Sequence, residues 1–345
     1  MFFDPRAVVV EEVVGGLGPD ARGWEGAVAV AAASRPHCGV AEVAGAGRGR
    51  AWTAEGVTGR PWRSEELFAA IAVVGPDERP KSQGQRPISA MGRGTGVGVV
   101  LVHGSPETSA VWDPLLRELN RDDITCLSPP GFGAGVPDGW RATVEDYRDW
   151  LIAELQAFGS PVDVVGHDWG GAHVVTATMA RSDLVRSWCT DVIGIFDPEY
   201  VWHELAQLLQ TPDAGEQAVA AWAAQPAPER VAGFVALGVS ADVAERLADG
   251  FDEAMGRCIL GLYRSARQPA MARLGEGLAA AARRPGLHLR ATNDHLVGGA
   301  EMQRRAAARA GARVEVLDSL GHWWMAQDPK RVAATLTQFW ASVPN

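Results

Sequence analysis

The sequence predicts an α/β fold: a mostly parallel sheet with helices on both faces and a helical cap insertion. Three observations predict it. Continuous apolar runs of strand length alternate with amphipathic helical patterns over much of residues 91–345, which is typical of a parallel sheet covered on both faces. The alternation stops between residues 197 and 285, where the chain is alanine-rich and helical throughout. The composition is globular, with 47% hydrophobic and 21% charged residues, so the chain can bury a sizeable core.

The first half of the predicted sheet begins with residues 97–103 (VGVVLVH), a continuous apolar run typical of a strand buried on both faces. The strongest amphipathic helical pattern lies at 143–158, where apolar residues recur at spacings of three and four and Thr143 can cap the first turn. The predicted elements, in chain order, are a strand at 97–103, a helix at 112–119, a strand at 124–127, a helix at 143–158, a strand at 162–165, a helix at 171–180 and a fourth strand within 185–196.

The helical block divides the predicted domain in two. Alternation resumes after it, and the predicted elements are a strand at 287–291, a helix at 300–310, a strand at 313–317 and a helix at 329–342. We therefore expect a core formed by residues 91–196 and 286–345, with residues 197–285 as a cap. Such a cap would cover the carboxyl edge of the sheet, where open α/β sheets place their sites.

Residues 1–90 differ from the rest of the chain. They are rich in Gly, Ala, Val and Arg, contain several chain breakers and show no period that persists. Residues 8–14 and 67–74 could each be a strand or a short helix. We treat 1–90 as an N-terminal segment whose order the sequence leaves open.

Charge and motif content exclude several classes of function. The chain carries 42 acidic against 32 basic residues, a net charge of −10, which argues against nucleic acid or an anionic membrane as the main partner. No apolar run reaches the roughly 18 residues that span a bilayer. The start (MFFDP) lacks the basic region of a signal peptide, so we expect a cytoplasmic protein. A monomer and a homodimer remain equally open.

We also expect no cofactor and no metal. The four cysteines are scattered without a CxxC pair, which argues against a zinc site or a disulfide framework. The alternating glycines of residues 92–98 precede a strand, whereas the glycines of a dinucleotide-binding loop follow one.

The sharpest motif is residues 164–171 (VVGHDWGG), where a buried strand runs through Gly-x-Asp-x-Gly into a helix. This is the pattern of a nucleophile elbow, with Asp168 in place of the usual serine. The elbow would raise Asp168 above the sheet at a helix N-terminus, whose dipole favours an anion. The alternative is that Asp168 merely caps the helix.

A second motif follows the first predicted strand. Residues 101–107 (LVHGSPE) form a turn whose Ser105 N–H, with that of Trp169, would make an oxyanion hole. We expect His103 there to be a turn residue that hydrogen-bonds backbone, although it could also reach the pocket.

A histidine and an acid complete the predicted set. His322 lies in residues 319–324 (SLGHWW) just after the last strand, where a catalytic base is required. Asp294 follows the preceding strand and would orient it, with Asp197 as the reserve acid. The order nucleophile, acid, histidine is that of the elbow enzymes.

Residues 96–342 resemble the α/β-hydrolase superfamily, in particular its Asp-nucleophile branch of epoxide hydrolases and haloalkane dehalogenases. The string GHDWGG at 166–171 is close to a signature of that branch. The turn HGSPE at 103–107 and the string GHW at 321–323 are more similar to the epoxide-hydrolase forms. The first two strands of the family are not recognisable in residues 1–95.

The resemblance also implies a ring-opening tyrosine in the cap. Tyr263, in the string LYR, resembles the residue that epoxide hydrolases carry there. Those enzymes usually use two tyrosines, and Tyr200 is the remaining candidate near the cap. Trp202, His203 and Trp222 could line the pocket or simply pack.

The resemblance implies a hydrolase that needs no cofactor and acts on a small hydrophobic substrate through a covalent ester on Asp168. Epoxide hydrolysis is the first expectation. A haloalkane or haloacid dehalogenase is the alternative, in which Trp169 and Trp202 would bind the halide. A non-catalytic ligand-binding protein of the same fold is the third possibility.

Overall fold

The computed structural model describes residues 97–344, so the expectations for the segment 1–90 lie outside the described residues. Within them, six parallel strands form one sheet in the order β2-β1-β3-β4-β5-β6. The strands are β1 (Val99–Val102), β2 (Ile124–Leu127), β3 (Val162–Gly166), β4 (Val185–Thr190), β5 (Gly286–Ala291) and β6 (Ala312–Leu317).

The register of the strands brings their carboxyl ends to one edge. Val102, the last residue of β1, pairs with Leu127 of β2 and with Gly166 of β3. The segments that follow β1 and β3 therefore leave the sheet side by side. This is why the turn at 103–107 and the elbow at 166–170, which are about 60 residues apart, meet.

The helices cover both faces of the sheet. They are α1 (Asp113–Leu119), α2 (Val144–Gln156), α3 (Trp169–Ala180), α4 (Glu204–Gln210), α5 (Ala214–Ala224), α6 (Ala227–Ala236), α7 (Ala241–Asp249), α8 (Glu253–Ser265), α9 (Ala270–Gly275), α10 (Ala300–Arg309), α11 (Trp324–Gln327) and α12 (Pro329–Ser342). Short 3-10 turns occupy Ser109–Trp112, Ser182–Leu184, Ile193–Phe196 and Leu278–Arg283.

Two hydrophobic cores lie on opposite faces, because successive strand residues point in opposite directions. Val100 and Val102 of β1 pack into the core shared with α2, α3 and α10. Val99 and Leu101 pack into the core shared with α1 and α12. The continuous apolar run of β1 is thus explained, and the predicted α/β class is confirmed.

The helix that follows β3 begins earlier than predicted, at Trp169 instead of residue 171. The reason is that the turn after β3 is only two residues long, so the chain enters the helix directly behind Asp168. The prediction for 143–158 was nearly right: α2 is preceded by Thr143, whose hydroxyl accepts the N–H of Asp146. Pro329–Ser342 matches the predicted last helix.

Helices α4–α9 all lie between β4 and β5, with no strand among the residues described there. Breakers mark their ends, as expected: Pro226 precedes α6 and Gly250 ends α7. We refer to residues 204–283 as the helical segment. None of the helices in the described part of the chain is both long and apolar enough to cross a membrane.

Candidate active site

Asp168 occupies a strained turn between β3 and α3, with φ 50° and ψ −128°. The turn is possible because three neighbouring residues are glycines. A Cβ at Gly166 would overlap the backbone of Gly170, and one at Gly170 would overlap the carbonyl of Val102. A Cβ at Gly104 would overlap the Asp168 side chain itself. Strain of this kind persists where the surroundings enforce it, often at functional sites.

The Asp168 carboxylate faces a backbone donor. The N–H of Ser105 donates to Oδ1 of Asp168 over 2.9 Å. Burial raises the pKa of Asp168 to about 6, against the opposing attraction of His322. The group is therefore mainly ionised at neutral pH. The second predicted donor, the N–H of Trp169, belongs to the first residue of α3, and its role in an oxyanion hole stays a prediction.

His322 lies between two carboxylates. Its Nδ1 is 2.8 Å from Oδ2 of Asp294, and its Nε2 is 3.6 Å from Oδ2 of Asp168. Burial disfavours the imidazolium, but the Asp294 carboxylate outweighs it and the pKa of His322 rises above its ordinary value. The structure thus brings together the three residues expected from separate strand ends.

Three other predicted candidates lie elsewhere. Asp197, the reserve acid, is held by Arg305 at 2.9 Å. The hydroxyl of Tyr200 donates to the carbonyl of Leu296 over 2.6 Å, so it is engaged with backbone. His103 is fully buried, with Nε2 3.1 Å from the hydroxyl of Ser128, and burial lowers its pKa to about 4. His103 is therefore a neutral turn residue.

A pocket opens above Asp168 between the sheet edge and the helical segment. Its volume is about 100 Å³, several times the ~10–15 Å³ that one water molecule needs. Ser105, Asp168, Tyr263 and His322 all line it. Apolar side chains form most of the remaining wall: Leu209, Trp222, Phe234, Leu247, Phe251 and Ile259. A small, mainly apolar molecule fits this pocket.

Tyr263, on α8, borders the pocket beside Trp169. The two rings meet edge to face with centroids 5.1 Å apart. Burial, together with the charge of Asp168, raises the pKa of Tyr263, so the phenol keeps its proton. Tyr263 is therefore a donor and not a base.

His203 also lines the pocket. Its Nδ1 accepts the N–H of Ala206 over 3.3 Å at the start of α4. Burial lowers the pKa of His203 to about 4, so the ring is neutral and its proton resides on Nε2. From the sequence we considered His203 only as pocket lining. Trp202 is not part of the lining, and its Nε1 donates to the carbonyl of Ala266 over 3.1 Å.

A second histidine between two carboxylates lies behind the first and was missed by the sequence analysis. His167 has Nδ1 2.5 Å from Asp191 and Nε2 3.1 Å from Glu107, and all three side chains are sealed from solvent. We call these three residues the buried triad. The ring centroids of His167 and His322 are 4.6 Å apart.

The buried triad is hydrogen-bonded to the loops that carry Ser105, Asp168 and His322. Asp191 accepts the N–H of Asp168 over 3.0 Å, and Glu107 accepts the N–H of Gly104 over 3.3 Å. The two indoles that follow His322 in the chain also donate to the buried triad: Trp323 donates to Glu107 and Trp324 donates to Asp191. The sequence placed a strand within residues 185–196 without marking its end, and the structure shows that Asp191 directly follows β4.

His167 partly offsets the negative charge of the two carboxylates in the buried triad. Burial disfavours an imidazolium, yet the two carboxylates outweigh it and raise the pKa of His167 well above its usual value. Burial opposes ionisation of Glu107 and Asp191, but His167 holds the pKa of each below its usual value. His167 is therefore a buried cation.

One cluster in the described chain has the spacing of a metal site. Glu107, His167 and His322 each place a ligand atom within 4.8 Å of the others. Both nitrogens of His167 already contact carboxylates, and Nδ1 of His322 contacts Asp294. A cation would have to displace a proton from this network.

Comparison with known proteins defines the class. Residues 99–335 match the sequence model of the "Alpha/beta hydrolase family", and the chain belongs to that family. A curated relative, 2-(acetamidomethylene)succinate hydrolase of Mesorhizobium japonicum, is 27% identical over an alignment of 276 residues that covers 74% of this chain and 92% of the relative.

Solved structures share the fold. A putative ancestral haloalkane dehalogenase superposes with a TM-score of 0.55 at 20% identity, covering 73% of this chain and 94% of the other. An epoxide hydrolase from an endophytic Streptomyces gives 0.56 at 18% identity, covering 72% and 90%. The protein is thus a member of the α/β-hydrolase family.

Proposed function

We propose that this protein is an epoxide hydrolase that acts through a covalent ester on Asp168. The observation that carries the proposal is the pocket itself. It places a carboxylate, a histidine–aspartate pair and a protonated phenol around one small apolar space.

In the first step an oxygen of Asp168 attacks an epoxide carbon. A bond forms between that oxygen and carbon, and the bond from the carbon to the ring oxygen breaks. The ring oxygen leaves as a basic alkoxide and needs a proton, which Tyr263 supplies, with Nε2–H of His203 as a second donor. The rings of Tyr263 and His203 are neighbours, in edge-to-face contact with centroids 6.4 Å apart.

In the second step water hydrolyses the ester. His322 takes a proton from the water, whose oxygen attacks the Asp168 carboxyl carbon, and the N–H of Ser105 stabilises the resulting oxyanion. Esterification removes the negative charge that helps raise the pKa of His322. A larger fraction of His322 is therefore neutral and able to accept a proton once the ester exists. The intermediate collapses as the bond from the carboxyl carbon to the substrate oxygen breaks, and that oxygen takes the proton from His322. The second proton of the water returns to Tyr263, so the products are a diol and the regenerated Asp168 carboxylate.

The indole contacts favour an epoxide over a halide. A dehalogenase would need N–H groups free to bind the leaving halide. Trp202 donates its N–H to the carbonyl of Ala266, and neither Trp202 nor Trp169 is among the residues that line the pocket. The two proposed oxygen donors, by contrast, both line the pocket. A ligand receptor would not require the coupled arrangement of Asp168, His322 and Asp294.

A screen of terminal epoxides and haloalkanes, scored for diol and halide release, tests the proposal. Tyr263→Phe then separates the two chemistries. For an epoxide it should slow esterification of Asp168 by roughly 10²-fold, the scale of general-acid assistance, and leave hydrolysis of the ester unchanged. Halide release without diol release would replace this proposal with a dehalogenase.

The matched control is Tyr200→Phe, because the Tyr200 hydroxyl is bound to the carbonyl of Leu296. We expect it to alter esterification much less than Tyr263→Phe. A larger effect at Tyr200 would show that the ring-opening donor has been misassigned. If the wild-type protein releases neither diol nor halide in the screen, a non-catalytic ligand-binding protein is favoured.

A further inference from the structure

An unpaired amide in the helical wall of the pocket is not used by the proposed chemistry. Gln225 follows α5, lines the same pocket as Asp168 and is only 5% exposed. Neither Nε2 nor Oε1 of its side chain has a hydrogen-bond partner. A buried donor and acceptor without hydrogen-bond partners lower the stability of the fold, so an unpaired amide beside a cavity indicates that a ligand group binds there.

The backbone of Gln225 is held on both sides. Its N–H donates to the carbonyl of Trp222 over 3.2 Å, and its own carbonyl accepts from Nη1 of Arg230. Arg230 is anchored in turn, because its Nε donates to the carbonyl of Ala248 over 3.1 Å. The amide is therefore presented by a fixed frame, which lowers the entropy lost on binding.

We infer that Gln225, with Arg230 beside it, forms a polar subsite that binds a carboxamide group of the substrate. The side-chain amide offers a donor group and an acceptor atom, whichever way it is flipped, so a ligand group that satisfies both presents an acceptor and a donor. A carboxamide does so. A carboxylate would set an anionic oxygen against Oε1, and a ketone would leave the acceptor of Gln225 unpaired.

The position of Arg230 fixes the orientation of that group. Its guanidinium is always charged and lines the same wall, so it favours the carbonyl end of the bound carboxamide. The rest of the wall is apolar, and Asp168 lies in the same pocket. The inferred substrate has an apolar body with the reacting carbon at one end and a carboxamide at the other. The inference rests on the proposed function only for the reacting end.

Binding of unreactive ligands tests the subsite without catalysis. Hexanamide, 2-heptanone and hexanoate have equal numbers of non-hydrogen atoms and differ only in the terminal group. Isothermal titration calorimetry at neutral pH should show hexanamide binding about 10-fold or more tighter than 2-heptanone. The octanoyl homologues are measured as well, because a six-carbon chain could be too short to place its terminal group beside Gln225.

Gln225→Leu keeps the size of the side chain and removes the amide, so it should abolish the preference for hexanamide. Gln217→Leu, on the exposed side of α5, is the matched control and should keep it. Equal affinity for amide and ketone, tighter binding of hexanoate, preference surviving in Gln225→Leu, or no binding at either length would each overturn the subsite.

Turnover separates this inference from the proposed function. Diol release from epoxides without any amide preference removes the subsite and leaves the hydrolase. Amide preference without turnover of any epoxide keeps the subsite and removes the epoxide hydrolase.

Discussion

Two histidines in this protein have nearly the same partners and different surroundings. His322 lies between Asp168 and Asp294 and borders the pocket, while His167 lies between Glu107 and Asp191 and is sealed. Each forms an imidazole–carboxylate network, and the rings are 4.6 Å apart. The difference is access: a ligand can reach Asp168 and His322, but nothing can reach His167. We therefore expect the chemistry at the open centre and the support of its loops from the sealed one.

The largest expected effect is at the open centre. Asp168→Ala should lower turnover by at least about 10⁴-fold, because it removes the nucleophile and no neighbouring carboxylate can replace it. Steady-state diol release measures this, with the exposed Asp138→Ala as the control. Substantial activity in a homogeneous Asp168→Ala preparation would remove Asp168 as the nucleophile.

His322→Gln should lower steady-state turnover by about 10²–10⁴-fold, since only the second half-reaction needs the base. The ester should then accumulate, and intact-protein mass spectrometry should find it on the peptide containing Asp168. His295→Gln, an exposed neighbour of Asp294, is the control. If no adduct forms under single-turnover conditions, His322 is not confined to ester hydrolysis.

The sealed centre should respond in stability. His167→Gln leaves two buried carboxylates without their cation, which should cost about 3–5 kcal/mol of unfolding free energy and lower Tm by roughly 10 °C. His322→Gln should lower Tm by less than half as much, because water in the pocket can solvate Asp168. Thermal unfolding of both variants measures the contrast.

Where His167→Gln does not accumulate as folded protein, Glu107→Gln serves instead. It neutralises one carboxylate, keeps an acceptor for Trp323, and should give a smaller loss of Tm. Equal losses in the open and sealed centres would show that access to the pocket does not distinguish them.

The smallest expected effect is on the free energy of unfolding, which the buried charge of Asp168 lowers. Its folded pKa of about 6 exceeds the ordinary value of about 3.9, so ionisation destabilises the fold fully above pH 6 and not at all well below pH 4. Asp168→Asn should therefore raise stability by roughly 1–3 kcal/mol at pH 8, with the gain vanishing near pH 4. Thermal unfolding across pH checks the sign.

The same pKa predicts the acid limb of activity. Esterification of Asp168 should weaken as pH falls through about 6, because only the carboxylate attacks. Single-turnover rates measured between pH 5 and pH 8 check this. A rate that stayed constant down to pH 5 would contradict the effect of burial on Asp168.

The sequence by itself determined the order of strands and helices, the elbow at Asp168 and the pairing of His322 with an acid at a strand end. It could do so because each depends on local rules: apolar runs, glycines at a tight turn and the common edge reached by parallel strands. Tyr263 came from resemblance to a family, and the structure places it in the pocket.

Tertiary structure alone decided the rest. The sequence preferred Asp294 and kept Asp197 in reserve, and the structure shows why the reserve is not used: Asp197 is bound by Arg305, a residue more than 100 positions away. The buried triad forms because Glu107, His167 and Asp191 converge from three loops. The amide of Gln225 is unpaired because no described side chain or backbone group packs within hydrogen-bond distance of it. Such contacts join residues distant in the chain, and no local pattern encodes which polar atoms meet once the apolar surfaces have packed.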